Sequence, residues 1–195
     1  MTIDKAYQEV LQNRHDDVTT WGKGKPKFCG GDLLAIIKSR GYIESVLDYG
    51  CGKGQLGEYL REHCPGIQYT GYDPGVREFQ KLPDGRFDLV TSADVLEHIE
   101  PHNLDATLHQ MWDRTGKVLY NNIACTPTSN LFTEGPYEGQ DLHLIIEPPE
   151  WWLRRFEKVL GGSDGKYSTY EWRHVRRRWH SELRSRCVII AERLG

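Results

Sequence analysis

The sequence has no run approaching the ~20 apolar residues that a membrane-spanning helix requires, so no membrane association is expected. Its first ten residues (MTIDKAYQEV) lack an apolar signal core, which argues against secretion. Cysteine is sparse and unpatterned: Cys29, Cys51, Cys64, Cys125 and Cys187 form no C-x-x-C pair and are odd in number. Such spacing fits neither a structural zinc site nor a disulfide framework, and it suits a reduced, cytoplasmic setting. Neither charge dominates. The formal net charge of −3 gives the chain no overall attraction to nucleic acid, although a local basic patch stays open. Internal repeats and low-complexity tracts are absent as well.

What is present is enough for one domain with a real core, and not comfortably two: 195 residues, 38% hydrophobic and 27% charged. Residues 3–14 have helical character, and Thr19 to Lys27 (TTWGKGKPK) reads as an irregular arm. Leu33, Leu34, Ile36 and Ile37 mark a helix over 31–40 that Gly41 stops. Strands and helices then alternate. Strand Ser45 to Leu47 leads to a glycine-rich loop, a helix over about Gln55 to His63, and strand Gln68 to Tyr72. After Asp73-Pro74-Gly75, a short segment (Val76 to Leu82) and the turn Pro83-Asp84-Gly85 lead to strand Phe87 to Ser92. Helix Asn103 to Arg114 and strand Lys117 to Asn121 follow. Pro149 and Glu150 open a helix over 149–158, where a missing N–H costs nothing; Trp152 and Phe156 share a face of it and read as core. Tyr167 to Val175 and Arg186 to Glu192 are strand-like. The pattern predicts an α/β fold: a doubly wound, mostly parallel sheet with helices on both faces and an antiparallel C-terminal strand. Within a single domain over 1–195, residues 1–28 would be a helix and arm, 29–160 the ligand-binding core, and 161–195 a strand pair.

The loop Val46-Leu47-Asp48-Tyr49-Gly50-Cys51-Gly52-Lys53-Gly54 runs from strand to helix. Its glycines allow positive φ and close backbone approach, and the helix behind them points N–H groups at an anion. It lies at the carboxyl end of a parallel strand, where open α/β sheets bind ligands. Two readings compete. Gly52-Lys53-Gly54-Gln55-Leu56-Gly57 satisfies the dinucleotide pattern G-x-G-x-x-G, with Asp73 about where its ribose acid should be. That register leaves Tyr49-Gly50-Cys51 spliced between strand and turn. The other reading takes Asp48-x-Gly50-x-Gly52-x-Gly54 as one unit.

In that second register the sequence resembles the class I S-adenosylmethionine-dependent methyltransferases. The family's first motif matches 46–54, its second matches Gly71-Tyr72-Asp73, and its fourth-strand region matches Phe87 to Ala93 followed by Asp94-Val95-Leu96-Glu97-His98-Ile99. The resemblance covers roughly residues 30 to 160. It implies a Rossmann-like, seven-stranded-type sheet and S-adenosyl-L-methionine as cofactor. It also implies that Gly50, Gly52 and Gly54 pack on the methionine part, Asp48 orients the loop, Asp73 accepts from the ribose hydroxyls, and Ala93 lines the site. A carboxylate suits the ribose because it is acceptor-only. One departure stands out. Thirteen residues separate Asp73 from Phe87, so the family's third strand must be short or irregular.

A helical turn opening after Ala93 would put Asp94, Glu97 and His98 at i, i+3 and i+4 on one face, looking toward the transferred methyl. His98, with Glu97, could then remove the acceptor's proton. Alternatively the three could hold a divalent ion such as magnesium, manganese or iron, which would acidify a bound hydroxyl. The set is similar to the acid-x-x-Glu-His motif of metal-dependent O-methyltransferases of ubiquinone biosynthesis and of small-RNA 3′ ends. In the RNA group a further histidine enters from a later loop, and His143 stands where such a ligand could. The plain alternative is that Glu97 favours a helix N-terminus and His98 packs against the cofactor edge.

Motifs of amino-methylating DNA enzymes and carbon-5 cytosine enzymes are absent: Ser92-Ala93-Asp94-Val95 follows the strand, and Cys125-Thr126-Pro127 has its residues in the wrong order. The expected activity is methyl transfer to an oxygen or nitrogen of a small molecule or nucleotide. The alternatives are metal-dependent methylation of RNA through Asp94, Glu97, His98 and His143, and a non-catalytic cofactor-binding subunit. The segment Arg173 to His180 (RHVRRRWH), with Trp172 before it, could meet nucleic acid, arginines on phosphates and tryptophans on bases; otherwise it is a solvated hairpin tip. Lys23, Lys25 and Lys27 could extend that patch or simply form a leader. Thr126 to Gly139 reads as a long loop above the site, with Tyr137 and Glu138 as candidate wall residues.

Overall fold

A computed structural model describes residues 3–17, 22–23, 26, 29–128, 130–161, 167–179 and 182–193, by backbone alone at 17, 167–179 and 182–184. The elements in order are α1 (Lys5–Asp17), α2 (Gly30–Arg40), β1 (Ser45–Tyr49), α3 (Gln55–His63), β2 (Gln68–Tyr72) and β3 (Phe87–Ala93). α4 (Leu104–Arg114), β4 (Thr115–Ala124), α5 (Pro149–Gly161), β5 (Tyr167–Trp179) and β6 (Glu182–Arg193) complete it. Gly41 ends α2 in a left-handed cap (φ 60°), its N–H donating to the Ile37 carbonyl. α5 and the last three strands run longer than the sequence pattern predicts.

The sheet order is β2-β1-β3-β4-β6-β5. β2, β1, β3 and β4 are parallel. β6 runs antiparallel between β4 and β5. Six strands are described where a seven-stranded type is expected. The residues from Asp73 to Phe87 hold only a single 3-10 turn, Arg77–Phe79, because a crossover helix with its strand needs more chain than this.

Period-2 alternation sorts the strands onto two cores. Val46, Leu89, Val118, Val188 and Ile190 face α2 and α3, meeting Leu33, Ile36, Leu56 and Leu60. Their neighbours Leu47, Val90, Leu119, Ile189 and Ala191 face α4 and α5, meeting Leu108, Met111, Trp112, Trp152 and Phe156. A third, smaller cluster joins α1 to the segment after β4 through Tyr7, Val10, Leu11, Phe132 and Leu142. Among the described residues no helix is long and apolar enough to cross a membrane.

Trp152 and Phe156 are fully buried, whereas Arg154 between them is exposed. Phe156→Ala is therefore expected to cost about 3–5 kcal/mol in urea unfolding, and Arg154→Ala no more than about 0.5 kcal/mol. Equal costs would contradict this placement of α5.

Candidate active site

Where β1 ends, Gly50, Gly52 and Gly54 all take positive φ (83°, 53° and 76°). Gly50 has no alternative: a Cβ there would stand 2.4 Å from Val95. The Gly50 and Cys51 N–H groups donate to the Tyr72 carbonyl at 2.7 and 3.1 Å. Gly52 N–H donates to Asp73 Oδ2 at 2.8 Å, and Gly75 N–H to Asp73 Oδ1 at 2.8 Å. Asp73 thus closes β2 against the loop. Burial raises its pKa, and the two backbone donors oppose that rise. Asp48 lies behind the loop and accepts from Tyr69 Oη at 2.8 Å, tying β1 to β2 beneath the glycines. Burial pushes its carboxyl up to about 7, Tyr69 opposing and Asp73 adding. The N-terminal arm reaches the same place. Lys53 N–H donates to the Gly22 carbonyl (2.7 Å) and Gln55 N–H to the Lys23 carbonyl (3.2 Å), so arm carbonyls meet donors at the start of α3.

Ala93 closes β3, and beyond it the structure departs from the expected helical turn. Asp94 has φ 58°, the one positive φ outside glycine among the described residues. The turn opens only at Leu96, as a 3-10 turn over Leu96–His98. Asp94 therefore does not share a helical face with Glu97 and His98. Its N–H donates to the Asn122 carbonyl at 3.0 Å, and its carboxylate pairs with Arg186. Arg186 is itself held by Asn122 Oδ1 at 2.6 Å. The left-handed backbone, tolerated by Asp better than by most residues, and this buried guanidinium draw Asp94 away from the ligand set assigned to it.

The other three expected residues do converge. Glu97, His98 and His143 each offer one ligand atom, all within 4.8 Å of one another. Glu97 is fully buried. Its Oε1 accepts from Ala124 N–H at 2.7 Å, while Oε2 is buried and has no hydrogen-bond partner among the described residues. Burial pushes its carboxyl up to about 7, Asp94 adding and His143 and Arg186 opposing. His98 Nδ1 meets the Leu142 carbonyl at 2.7 Å, and His143 Nδ1 meets the Thr126 carbonyl at 2.6 Å. Since carbonyls only accept, these bonds assign the proton to Nδ1 and the lone pair to Nε2 in both rings. The rings stand edge to face, 4.8 Å between centroids. Burial lowers the pKa of each. For a divalent ion this donor set fits: an orphaned carboxylate oxygen and two imidazoles of fixed tautomer.

Sequence reasoning missed Arg186, Asn122 and Tyr7, whose positions carry no local motif. Tyr7 Oη donates to the His98 carbonyl at 2.7 Å. Tyr137, a candidate wall residue, instead donates to Glu100 Oε1 at 2.9 Å. Glu138 is exposed. Side chains of Arg173 to His180, and residues Lys25 and Lys27, lie outside the described residues.

Residues 21–161 match the family model described as a methyltransferase domain. No curated protein sequence matches. Among solved structures, magnesium protoporphyrin IX methyltransferase from Synechocystis PCC 6803 with bound S-adenosylmethionine is 16% identical, with TM-score 0.60 over 99% of this chain and 100% of that one. The 1,6-didemethyltoxoflavin-N1-methyltransferase of Burkholderia thailandensis, with bound 1,6-didemethyltoxoflavin and S-adenosylhomocysteine, is 17% identical, with TM-score 0.63 over 100% and 92%. At these identities the likeness is one of fold.

Two outcomes are expected. Gly50→Ala should cost about 1–3 kcal/mol of unfolding free energy. Adding Val95→Ala should restore only part, because the positive φ remains; full recovery would refute the backbone argument. Folded Asp48 keeps its proton to about pH 7, while an unfolded Asp releases it near 3.8. Between those values the folded state binds more protons, so Asp48 makes stability fall as pH rises. Asp48→Asn should remove that share of the fall in pH-dependent urea unfolding, whereas parallel curves for variant and parent would contradict it.

Proposed function

The chain belongs to the family of methyltransferase domains, and from that premise we propose that it moves the methyl group of S-adenosylmethionine to an oxygen or nitrogen of a small-molecule or nucleotide acceptor. The observation that carries this reading is the glycine loop fastened to Asp73 across the carboxyl edge of β1 and β2. Gly50 to Gly54 would pack against the methionine part, and Asp73, with two carboxylate oxygens beside the loop, would accept from the ribose hydroxyls. Ala93, at the end of β3, would then flank the sulfonium.

Methyl transfer is an in-line displacement. The acceptor's lone pair forms a bond to the methyl carbon as the carbon–sulfur bond breaks, its electron pair leaving on a neutral sulfur. Positioning supplies much of the acceleration. The acceptor's proton passes to His98 Nε2, which carries the ring's lone pair because Nδ1 donates to Leu142. Burial keeps that imidazole neutral, the form a base needs. Glu97 stands within reach of both imidazoles and helps hold the charge that develops.

A second reading rests on the Glu97–His98–His143 cluster and the orphaned Glu97 Oε2. Those three residues would hold a magnesium, manganese or iron ion, which when bound would lower the pKa of an acceptor hydroxyl. The acceptor would then be an RNA end, with Arg173 to His180 as the natural contact. Asp94, committed to Arg186, is not in this set.

Tritium transfer from labelled S-adenosylmethionine to a metabolite and nucleic-acid panel tests both. With an acceptor found, His98→Gln should lower kcat about 10²- to 10⁴-fold while leaving S-adenosylhomocysteine affinity nearly unchanged. An unaltered kcat would remove His98 from the chemistry. Full activity in a chelator would dismiss the metal reading; loss that manganese or magnesium restores would favour it.

A further inference from the structure

His98 is gripped from two sides by parts of the chain that lie outside the sheet. Tyr7 on α1 donates to its backbone carbonyl at 2.7 Å. The Leu142 carbonyl takes the bond from its ring at 2.7 Å. Tyr7 and Leu142 are members of one small apolar cluster, with Val10, Leu11 and Phe132, and none of these buried members comes from a strand. Tyr7 meets Phe132 and Tyr137 edge-on, at centroid distances of 5.8 and 5.3 Å. The contact between α1 and this segment is close enough that a Cβ on Gly135 would stand 2.3 Å from Val10.

The N-terminal segment also reaches the loops after β2 and β3. Gln8 and Gln12 side-chain amides donate to the Pro74 carbonyl after β2, at 3.1 and 3.4 Å. Asp4 N–H donates to Glu100 Oε2 after β3 at 2.9 Å. His98, by contrast, sits at the end of a turn three residues long, held within itself by the His98 N–H bond to Val95 (3.0 Å) and the Ile99 N–H bond to Leu96 (3.2 Å). So short a turn does not fix an imidazole; external bonds must.

We infer that Tyr7 is a positioning residue for His98, and that α1 with segment 130–144 forms a cap whose closure over the sheet edge sets that imidazole in one orientation and one tautomer. The inference rests on the reading that His98 faces the acceptor. With the cap closed, the Tyr7 hydroxyl pins the turn while Leu142 holds the ring proton on Nδ1, so Nε2 is aimed before an acceptor arrives. Lifting the cap breaks both bonds together and removes the carbonyl that holds the ring proton on Nδ1. Positioning of the base and closure of the site are one event.

The test uses the full chain saturated with S-adenosylhomocysteine, in parent, Tyr7→Phe and Tyr137→Phe forms. Tyr7→Phe keeps the ring in the cluster and removes only the hydroxyl bonded to His98. Tyr137→Phe removes a cap hydroxyl that bonds Glu100 instead. Long-range 1H–15N spectra of the imidazole should show a single Nδ1–H tautomer in the parent and in Tyr137→Phe, and mixed tautomers in Tyr7→Phe. Amide exchange over 130–144 should rise about threefold to tenfold in Tyr7→Phe, as loss of one buried hydrogen bond gives. An unchanged His98 spectrum in Tyr7→Phe, or an equal disturbance by Tyr137→Phe, overturns the proposal. Neither readout needs turnover, so failure here is distinguishable from failure of the reaction itself, which His98→Gln kinetics decide.

Discussion

The bond from Gly52 N–H to the Asp73 carboxylate is the contact on which the rest of the site depends. It joins the end of β1 to the end of β2, and the Gly50 and Cys51 N–H groups reinforce it through the Tyr72 carbonyl. Glycine recurs at 50, 52 and 54 because all three take positive φ, and at Gly50 a Cβ would also collide with Val95. Asp73 then stands beside the loop, and β3 and β4 present the acidic and imidazole groups next to it along the same edge.

Charge at that edge is managed by burial. Asp48 and Glu97 are carboxyls raised toward neutrality, one beneath the loop and one behind the two imidazoles. Arg186 balances Asp94 from an antiparallel strand. His98 and His143 are kept neutral by the same desolvation that raises the acids. Proton movement at His98 then becomes a local matter among Glu97 and the two imidazoles.

Much of this was legible in the sequence, for identifiable reasons. The alternation of strands and helices was visible, and Gly41 and Pro149 marked helix ends, since each rests on local chemistry. The loop with Asp48 and Asp73 was readable because its spacing follows from strand and helix lengths. Glu97, His98 and His143 were named together and do meet. Asp94 misled because a helical face was assumed where the backbone turns left-handed, a choice set by Asn122 and Arg186 from distant strands. Tyr7 escaped notice for the same reason: a helix at one end of the chain packs on a segment more than a hundred residues away. The absent third strand was foreshadowed by the thirteen residues after Asp73.

The central claim is that the carboxyl edge of β1, β2 and β3 holds S-adenosylmethionine. The most direct test is a titration with S-adenosylhomocysteine followed by backbone amide shifts. Saturable shifts concentrated in residues 48–55, 71–76 and 92–98 are the predicted result. Absence of saturable binding, or shifts confined to other parts of the chain, would contradict it.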